Sequence, residues 1–380
     1  MMVLYWVSAF ALFYSLFGYG MVLLALSRIR SPRHTPAPAA APLSVSFLVA
    51  AYNEADVIGD KIRNTLALET GGADIEMVVV SDGSSDATVG IARGIDDTRV
   101  TVLDPGRLGK AGALAYGLAR CTGDIVVFSD ANAILTPGTL SAMLRHFSDP
   151  EVGGVCGQIT VEGEKGGISG AESLFWRYDQ ALKQAESLLG GAISAQGSVY
   201  SLRRALVRPP APDCTDDFVI SVGAVAQGHR LVFEPGASTV EAVTENVGSE
   251  MRRRIRSSER GWRSLMRNAG LMNPVRHGWY AWQLFSHKLM RRLNPVFLIM
   301  LFLSNLALIG ENSFYLASGL AQIAFYGAGA AGLAWPGLRR SKAVSLPAFF
   351  LFAHVAMLIG ILRCMTGRRS ILWTPSRNVG

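Results

Sequence analysis

The stretch VVVSDGSSDAT, residues 78–88, decides the fold. An unbroken apolar run stops at an acid, and a glycine, two serines and a second acid follow at once. A β-branched run of this kind suits a strand buried on both faces, the form that parallel sheets take. Gly83 permits a sharp turn. Ser84 or Ser85 is placed to cap the next helix, and Asp86 suits that helix's first turn. A buried strand ending at Asp82 delivers a carboxylate to the edge of a sheet.

The same pattern recurs on either side. VSFLVA (45–50), MVVV (77–80), VTVL (100–103) and DIVVFSD (124–130) read as strands. Helix-like stretches lie over 54–68, 86–93, 109–120 and 138–147. Alternating strand and helix predicts an α/β fold, a mostly parallel sheet of Rossmann-like kind with helices on both faces. Ligands of such sheets bind beyond the carboxyl ends of the strands. Here those ends carry Tyr52-Asn53-Glu54, Asp82, and Asp130 with Asn132, so three strands bring polar and acidic groups to one edge.

Half of the 380 residues are hydrophobic, and the mean hydropathy is +0.28. That is too apolar for a soluble enzyme and too polar for a membrane bundle. Residues 1–27 hold no charge and exceed the ~20 residues needed to span a bilayer, so they read as an uncleaved anchor. Arg28, Arg30 and Arg33 follow, which by the positive-inside rule makes the next domain cytoplasmic; the expected location is the inner (plasma) membrane. Residues 28–42, with TPAPAAAP, form a Pro/Ala linker.

A globular domain over 43–268 comes next. Residues 269–293 contain WQLFSHKLMRRL, with Trp282, Phe285, Leu289 and Leu293 on one helical face and Lys288, Arg291 and Arg292 on the other. This predicts a helix lying in the membrane interface. Membrane helices are expected over 294–363, at 295–309, 314–335 and 346–362, before a tail at 364–380. Cationic residues flank the last segment on both sides, which leaves a re-entrant segment as an alternative to a crossing.

The net charge is +7 and the isoelectric point about 9.4. Because the arginine clusters flank apolar segments, this balance points to membrane lipid or phosphorylated substrates and away from nucleic acid. The four cysteines show no CxxC and signal neither disulfides nor zinc.

Taken in order, VAAYNE, VVVSDGSSDAT, GKAGAL, FSDAN, TDDFVI and RRRIRSSERGW resemble the family-two glycosyltransferases. The resemblance is to their membrane-embedded branch of cellulose, chitin and hyaluronan synthases and related lipid glycosyltransferases. It covers residues 43–262 and implies a GT-A domain with transmembrane helices at both ends. It implies that Ala51, Tyr52, Glu54 and Asp82 bind the nucleotide of a UDP-sugar, with Lys110 near its diphosphate. Asp130 and Asn132 fall at the family's metal motif, implying Mg²⁺ or Mn²⁺. Asp217 matches the catalytic base, with Asp216 beside it, and Arg256 and Arg260 match the diphosphate-gripping motif. Gln196, Gly197 and Ser198, with Trp262, fall on the acceptor side.

The chain departs from the family at Ala115, Asn132 and Gly261, and Trp262 comes one residue late. The last departure argues against processive synthesis and toward a lipid or lipid-linked acceptor. A processive exopolysaccharide synthase with polysaccharide-export partners, and an inactive scaffold, are the rival expectations.

Overall fold

The computed structural model describes residues 1–29, 43–162, 170–242 and 247–367. Segment 35–42 and the cationic residues Arg30, Arg33, Arg368 and Arg369 lie outside them. The described chain forms two compact units. One holds residues 1–25, 247–267 and 282–367, and the other holds the sheet together with 268–281. The helix Val247–Arg267 therefore belongs with the apolar helices, whereas the sequence suggested a single domain over 43–268.

The sheet unit contains β1 (Ser44–Ala51), β2 (Asp74–Ser81), β3 (Val100–Leu103), β4 (Ile125–Ser129), β5 (Ile134–Leu135), β6 (Val152–Glu162), β7 (Val199–Arg203) and β8 (Arg230–Ala242). Their order is β3-β2-β1-β4-β7-β6-β8-β5. The half built from the quoted motifs, β3-β2-β1-β4, is parallel throughout. Helices Ala55–Leu66, Thr88–Arg93 and Lys110–Leu118 connect these strands, slightly shorter than the sequence suggests. Val49, Val79 and Val127 are buried, as an internal parallel sheet requires.

Two features of the sheet position the site. In the β1–β2 register Ala51 lies beside Ser81, so the chain leaves both strands at the same level, with Tyr52 and Asp82 next in line. Strand β7 then runs antiparallel to β4, with Val199 opposite Ser129. The start of β7 is thereby carried to the carboxyl end of β4, which sets Ser198 beside Asp130.

Among the described residues Met2–Arg28, Pro274–Leu308, Ser313–Ala334 and Lys342–Met365 are each long and apolar enough to cross a membrane. The segment expected as an interface helix, over 269–293, is not separated from the apolar helix that follows it. Pro274–Leu308 runs on as one 35-residue element, with Gly278 out of helical geometry near its start. The expected apolar face is also corrected: Phe285 is exposed, while Gln283, Ser286 and His287 are buried. The cause is polar pairing inside the bundle. The Trp282 indole N–H donates to the Tyr14 hydroxyl at 2.9 Å, which bonds Ser286 at 2.7 Å. Ser15 donates to Asn294 at 2.5 Å. A lipid-facing position offers such groups no partners, so they turn inward.

The helix Lys110–Leu118 packs on the sheet through Gly117, where a Cβ would stand 2.4 Å from Leu48 Cδ1 and 2.6 Å from Val80 Cγ2. Gly117→Val should overpack this contact and cost about 1–3 kcal/mol. A lowered thermal unfolding midpoint of the purified protein checks this, and an unchanged midpoint would refute the packing argument.

Candidate active site

The loops after β1 and β2 are stitched together by side chains. Asn53 takes a left-handed backbone (φ 52°), which asparagine tolerates better than most residues. Its backbone N–H donates to Ser84 Oγ at 3.1 Å, and its Oδ1 accepts from the Ser85 N–H at 2.8 Å. Ser84 and Ser85 thus tie the two loops together instead of capping a helix. The cap-like role falls to Asp86, whose Oδ1 accepts from the Thr88 N–H at 3.0 Å and whose Oδ2 accepts from the Ala55 N–H at 3.1 Å. The Glu54 N–H donates to Thr88 Oγ1 at 2.8 Å, and the Glu54 side chain is buried.

Asp82 has no solvent exposure. Its Oδ1 accepts from the Leu108 and Gly109 N–H groups at 2.6 and 2.8 Å, and its Oδ2 pairs with Arg107 at 2.7 Å. The Arg107 guanidinium carbon lies 3.4 Å from the centroid of the Tyr52 ring. A planar cation therefore rests on Tyr52 while bonding Asp82, which joins the ends of the first two strands to the loop after β3. Ala51, buried beneath them, receives the Asp82 N–H at 2.8 Å.

Lys110 opens the next helix, and its Nζ bridges Asp130 Oδ1 at 2.8 Å and Asp216 Oδ2 at 3.0 Å. Burial alone would lower the Lys110 pKa. The two carboxylates outweigh it and raise the pKa above the usual lysine range, so Lys110 stays protonated. Asp216 and Asp217 form the first turn of the helix Asp216–Ala226, where the helix dipole favours negative charge. Asp216 is buried and Asp217 half-buried.

Asn132 is half-buried, with no hydrogen-bond partner for its side chain among the described residues. A Cβ at Gly197 would stand 3.2 Å from Asp130 Oδ2, so the segment Gln196-Gly197-Ser198 lies against the Asp130 carboxylate.

Arg256, Arg260 and Trp262 belong to the helical unit, on Val247–Arg267. Arg260 is buried and Arg256 half-buried. Burial, then Arg260 and Arg253, depress the Arg256 pKa.

Three residues of the sheet unit join this picture without having been singled out in the sequence. Arg107 stands two residues before Gly109, where the quoted segment GKAGAL begins. Lys61 is a fully buried cation on the helix Ala55–Leu66. Its sequence signal was a lysine one turn from Ile58 and next to Ile62, on a buried helical face. Tyr200 stacks on Phe128 with centroids 4.8 Å apart, and its hydroxyl has no partner among the described residues. Burial raises its pKa well above the ordinary value, and Asp216, Asp217 and Asp130 raise it further.

Residues 46–208 match the family described as Glycosyl transferase family 2. This segment is a family-two glycosyltransferase domain. The chain is 28% identical over 233 residues to a poly-beta-1,6-N-acetyl-D-glucosamine synthase of Staphylococcus aureus, covering 59% of this chain and 56% of the relative. It is 26% identical over 234 residues to the synthase of that name from Staphylococcus epidermidis. The chain spans about half the length of these curated relatives. Among solved structures it resembles the mannosyltransferase PcManGT of Pyrobaculum calidifontis, in complex with GDP-Man and Mn²⁺. The TM-score is 0.72 at 21% identity, covering 96% of this chain and 99% of that one. The fold of the glycosyltransferase domain is accordingly the GT-A-like α/β fold, with apolar helices near both chain ends.

Two outcomes test the loop geometry. Gly83 has φ 67°, and a Cβ there would stand 2.9 Å from the Arg107 backbone nitrogen. Gly83→Ala should cost at least about 1–2 kcal/mol in backbone strain, read as a lower unfolding midpoint. For Asp86, burial raises the pKa, but hydrogen bonds from Thr88 and Ala55 outweigh it and leave it below the usual 3.8. A depressed folded pKa means that its stabilisation is present above the unfolded value and is lost as pH falls through the folded one. Asp86→Asn should therefore lower the midpoint at pH 7 and have a smaller effect near pH 3. An equal effect at both would refute a role for the ionised carboxylate.

Proposed function

We propose that this chain is a membrane-bound inverting glycosyltransferase that moves a sugar from a nucleotide-sugar, UDP-linked, to a lipid or lipid-linked acceptor at the cytoplasmic face of the inner membrane. The observation that carries the reading is the convergence of three separated segments on one cation, with Lys110 joining Asp130 to Asp216. It lies at the carboxyl edge of the sheet, where α/β folds bind nucleotides.

In this reading the nucleotide takes the place of the Arg107 guanidinium, which rests on the Tyr52 ring and pairs with Asp82, so that one offers an aromatic face and the other a carboxylate for base or ribose N–H and O–H donors. Lys110 offers positive charge to the diphosphate. Asp217 acts as general base, a role worth about 10²–10⁴-fold. It accepts the proton of the acceptor hydroxyl as that oxygen bonds the anomeric carbon and the nucleoside diphosphate departs with the pair of the broken C–O bond. Arg256 and Arg260, which belong to the helical unit, carry guanidinium groups of the kind that pair bidentately with phosphate oxygens.

A divalent metal fits this donor set. Among the described residues no three His, Cys, Asp or Glu side chains gather to form an all-protein cage. Oxygen donors from Asp130 and Asn132 suit a hard cation that shares its coordination with a diphosphate. When bound, such an ion would offset charge on the leaving group.

A processive polysaccharide synthase is the second reading, favoured by the names of the Staphylococcus relatives. Gly261 in the position where the resemblance calls for tryptophan is what ranks the lipid acceptor above it.

The test is a donor screen on detergent-purified protein with Mg²⁺ or Mn²⁺, following nucleotide release, with Asp217→Asn in parallel. Release from one UDP-sugar, reduced at least about 100-fold in the variant, supports the proposal. Long glycan products would favour the synthase reading. No release with any donor, lipid extract supplied, would leave a scaffold with a glycosyltransferase fold.

A further inference from the structure

Lys61 has no solvent exposure, yet it is none of the residues to which the family resemblance gives a role. Its Nζ donates to Ser129 Oγ at 2.7 Å and to the Ala133 carbonyl at 2.6 Å. Those two residues bracket Asp130-Ala131-Asn132. The bracketed segment is a tight turn, closed by the Ala133 N–H donating to the Asp130 carbonyl at 3.1 Å.

Asn64, one helical turn after Lys61, grips the same segment further along. Its Nδ2 donates to the Leu135 carbonyl at 2.9 Å, and its Oδ1 accepts from the Leu135 N–H at 2.8 Å. One face of the helix Ala55–Leu66 thus clamps both ends of the turn that presents Asp130 and Asn132. Ser129 also passes the restraint on, because its hydroxyl donates to the Ser198 carbonyl at 2.7 Å. Ser198 follows Gly197, which abuts the Asp130 carboxylate.

A buried ammonium is a costly way to hold a loop, since an apolar side chain would fill the space without desolvating a charge. What the ammonium supplies is direction, with donors that fix a hydroxyl and a carbonyl on either side of one turn. We infer that Lys61 is a positioning residue for the Asp130–Asn132 turn, setting the aim of its two oxygen donors toward a divalent cation held with a nucleoside diphosphate, and through Ser129 linking that turn to the Gln196–Ser198 segment. The inference rests on the proposed donor and metal site.

The experiment measures Mn²⁺ binding to the purified full-length protein with UDP present, from the loss of the free-ion paramagnetic resonance signal. Wild type is compared with Lys61→Met, which keeps the length of the stem and removes its donors. Outer-shell partners of metal ligands typically contribute about 10–100-fold in affinity, so Lys61→Met should weaken Mn²⁺ uptake by about 10-fold or more.

Ser129→Ala, which keeps the Lys61 bond to Ala133, should weaken uptake in the same direction by a smaller factor. It carries the test if Lys61→Met does not fold. A lower unfolding midpoint with unchanged Mn²⁺ affinity in the folded variants would mean that Lys61 serves stability alone, and would overturn the inference while leaving the proposed site standing. Wild type that takes up no Mn²⁺ with UDP would overturn the site reading and this inference with it.

Discussion

Negative charge crowded at the end of a buried sheet has to be balanced, and that requirement organises this domain. Asp82 is enclosed and matched by Arg107, while Asp130 and Asp216 share Lys110. Breaking such a pair on one side leaves a buried charge uncompensated, which is far more damaging than never having had the pair. The cations come from the loop after β3 and the helix start that follows it, so that one stretch, Arg107 to Lys110, serves all three acids. Its backbone contributes as well, through the Leu108 and Gly109 N–H groups on Asp82.

Topology explains why the segment before β7 reaches this acidic edge. A wholly parallel sheet would bring only strand ends to this edge. Strand β7 breaks that rule by running antiparallel against β4, so its first residues, not its last, arrive beside Asp130. The segment before β7 is then available on the edge where β1, β2 and β4 terminate. Gly197 is small where Asp130 leaves little room, since a Cβ there would press on the carboxylate.

Much of this was legible in the sequence, and the parts that were not share a cause. Continuous apolar runs ending in Asp82 and Asp130 announced parallel strands and the edge where they stop, because strand burial on two faces leaves an unmistakable composition. The pairing of cations to those acids was not legible. Arg107 and Lys61 sit in segments whose pattern describes a loop and an amphipathic helix, and nothing local says which distant acid or carbonyl they reach. The serines after Asp82 were assigned to a helix cap on local grounds, but the neighbouring loop offered Asn53, and the longer-range bonds prevailed. In the apolar helices the burial pattern follows polar pairing. Separating apolar from charged residues leaves out the uncharged polar side chains, and Ser286, Asn294 and Trp282 find their partners inside a bundle.

The proposed chemistry also gains from this balance. On that reading a donor would bring a diphosphate and a divalent cation to an edge where Lys110 already bridges two carboxylates. Asp130 would then be shared between the Lys110 ammonium and the cation, and Lys110 would offer its charge to the phosphates as well. Charges are shared between partners, and no new unpaired group is created. Such an arrangement would add cation and anion together and change the net charge of the edge little, so it need not loosen the strands that end there. Directional restraint on the Asp130 turn then matters more than added charge, because the same carboxylate must serve two partners from one position.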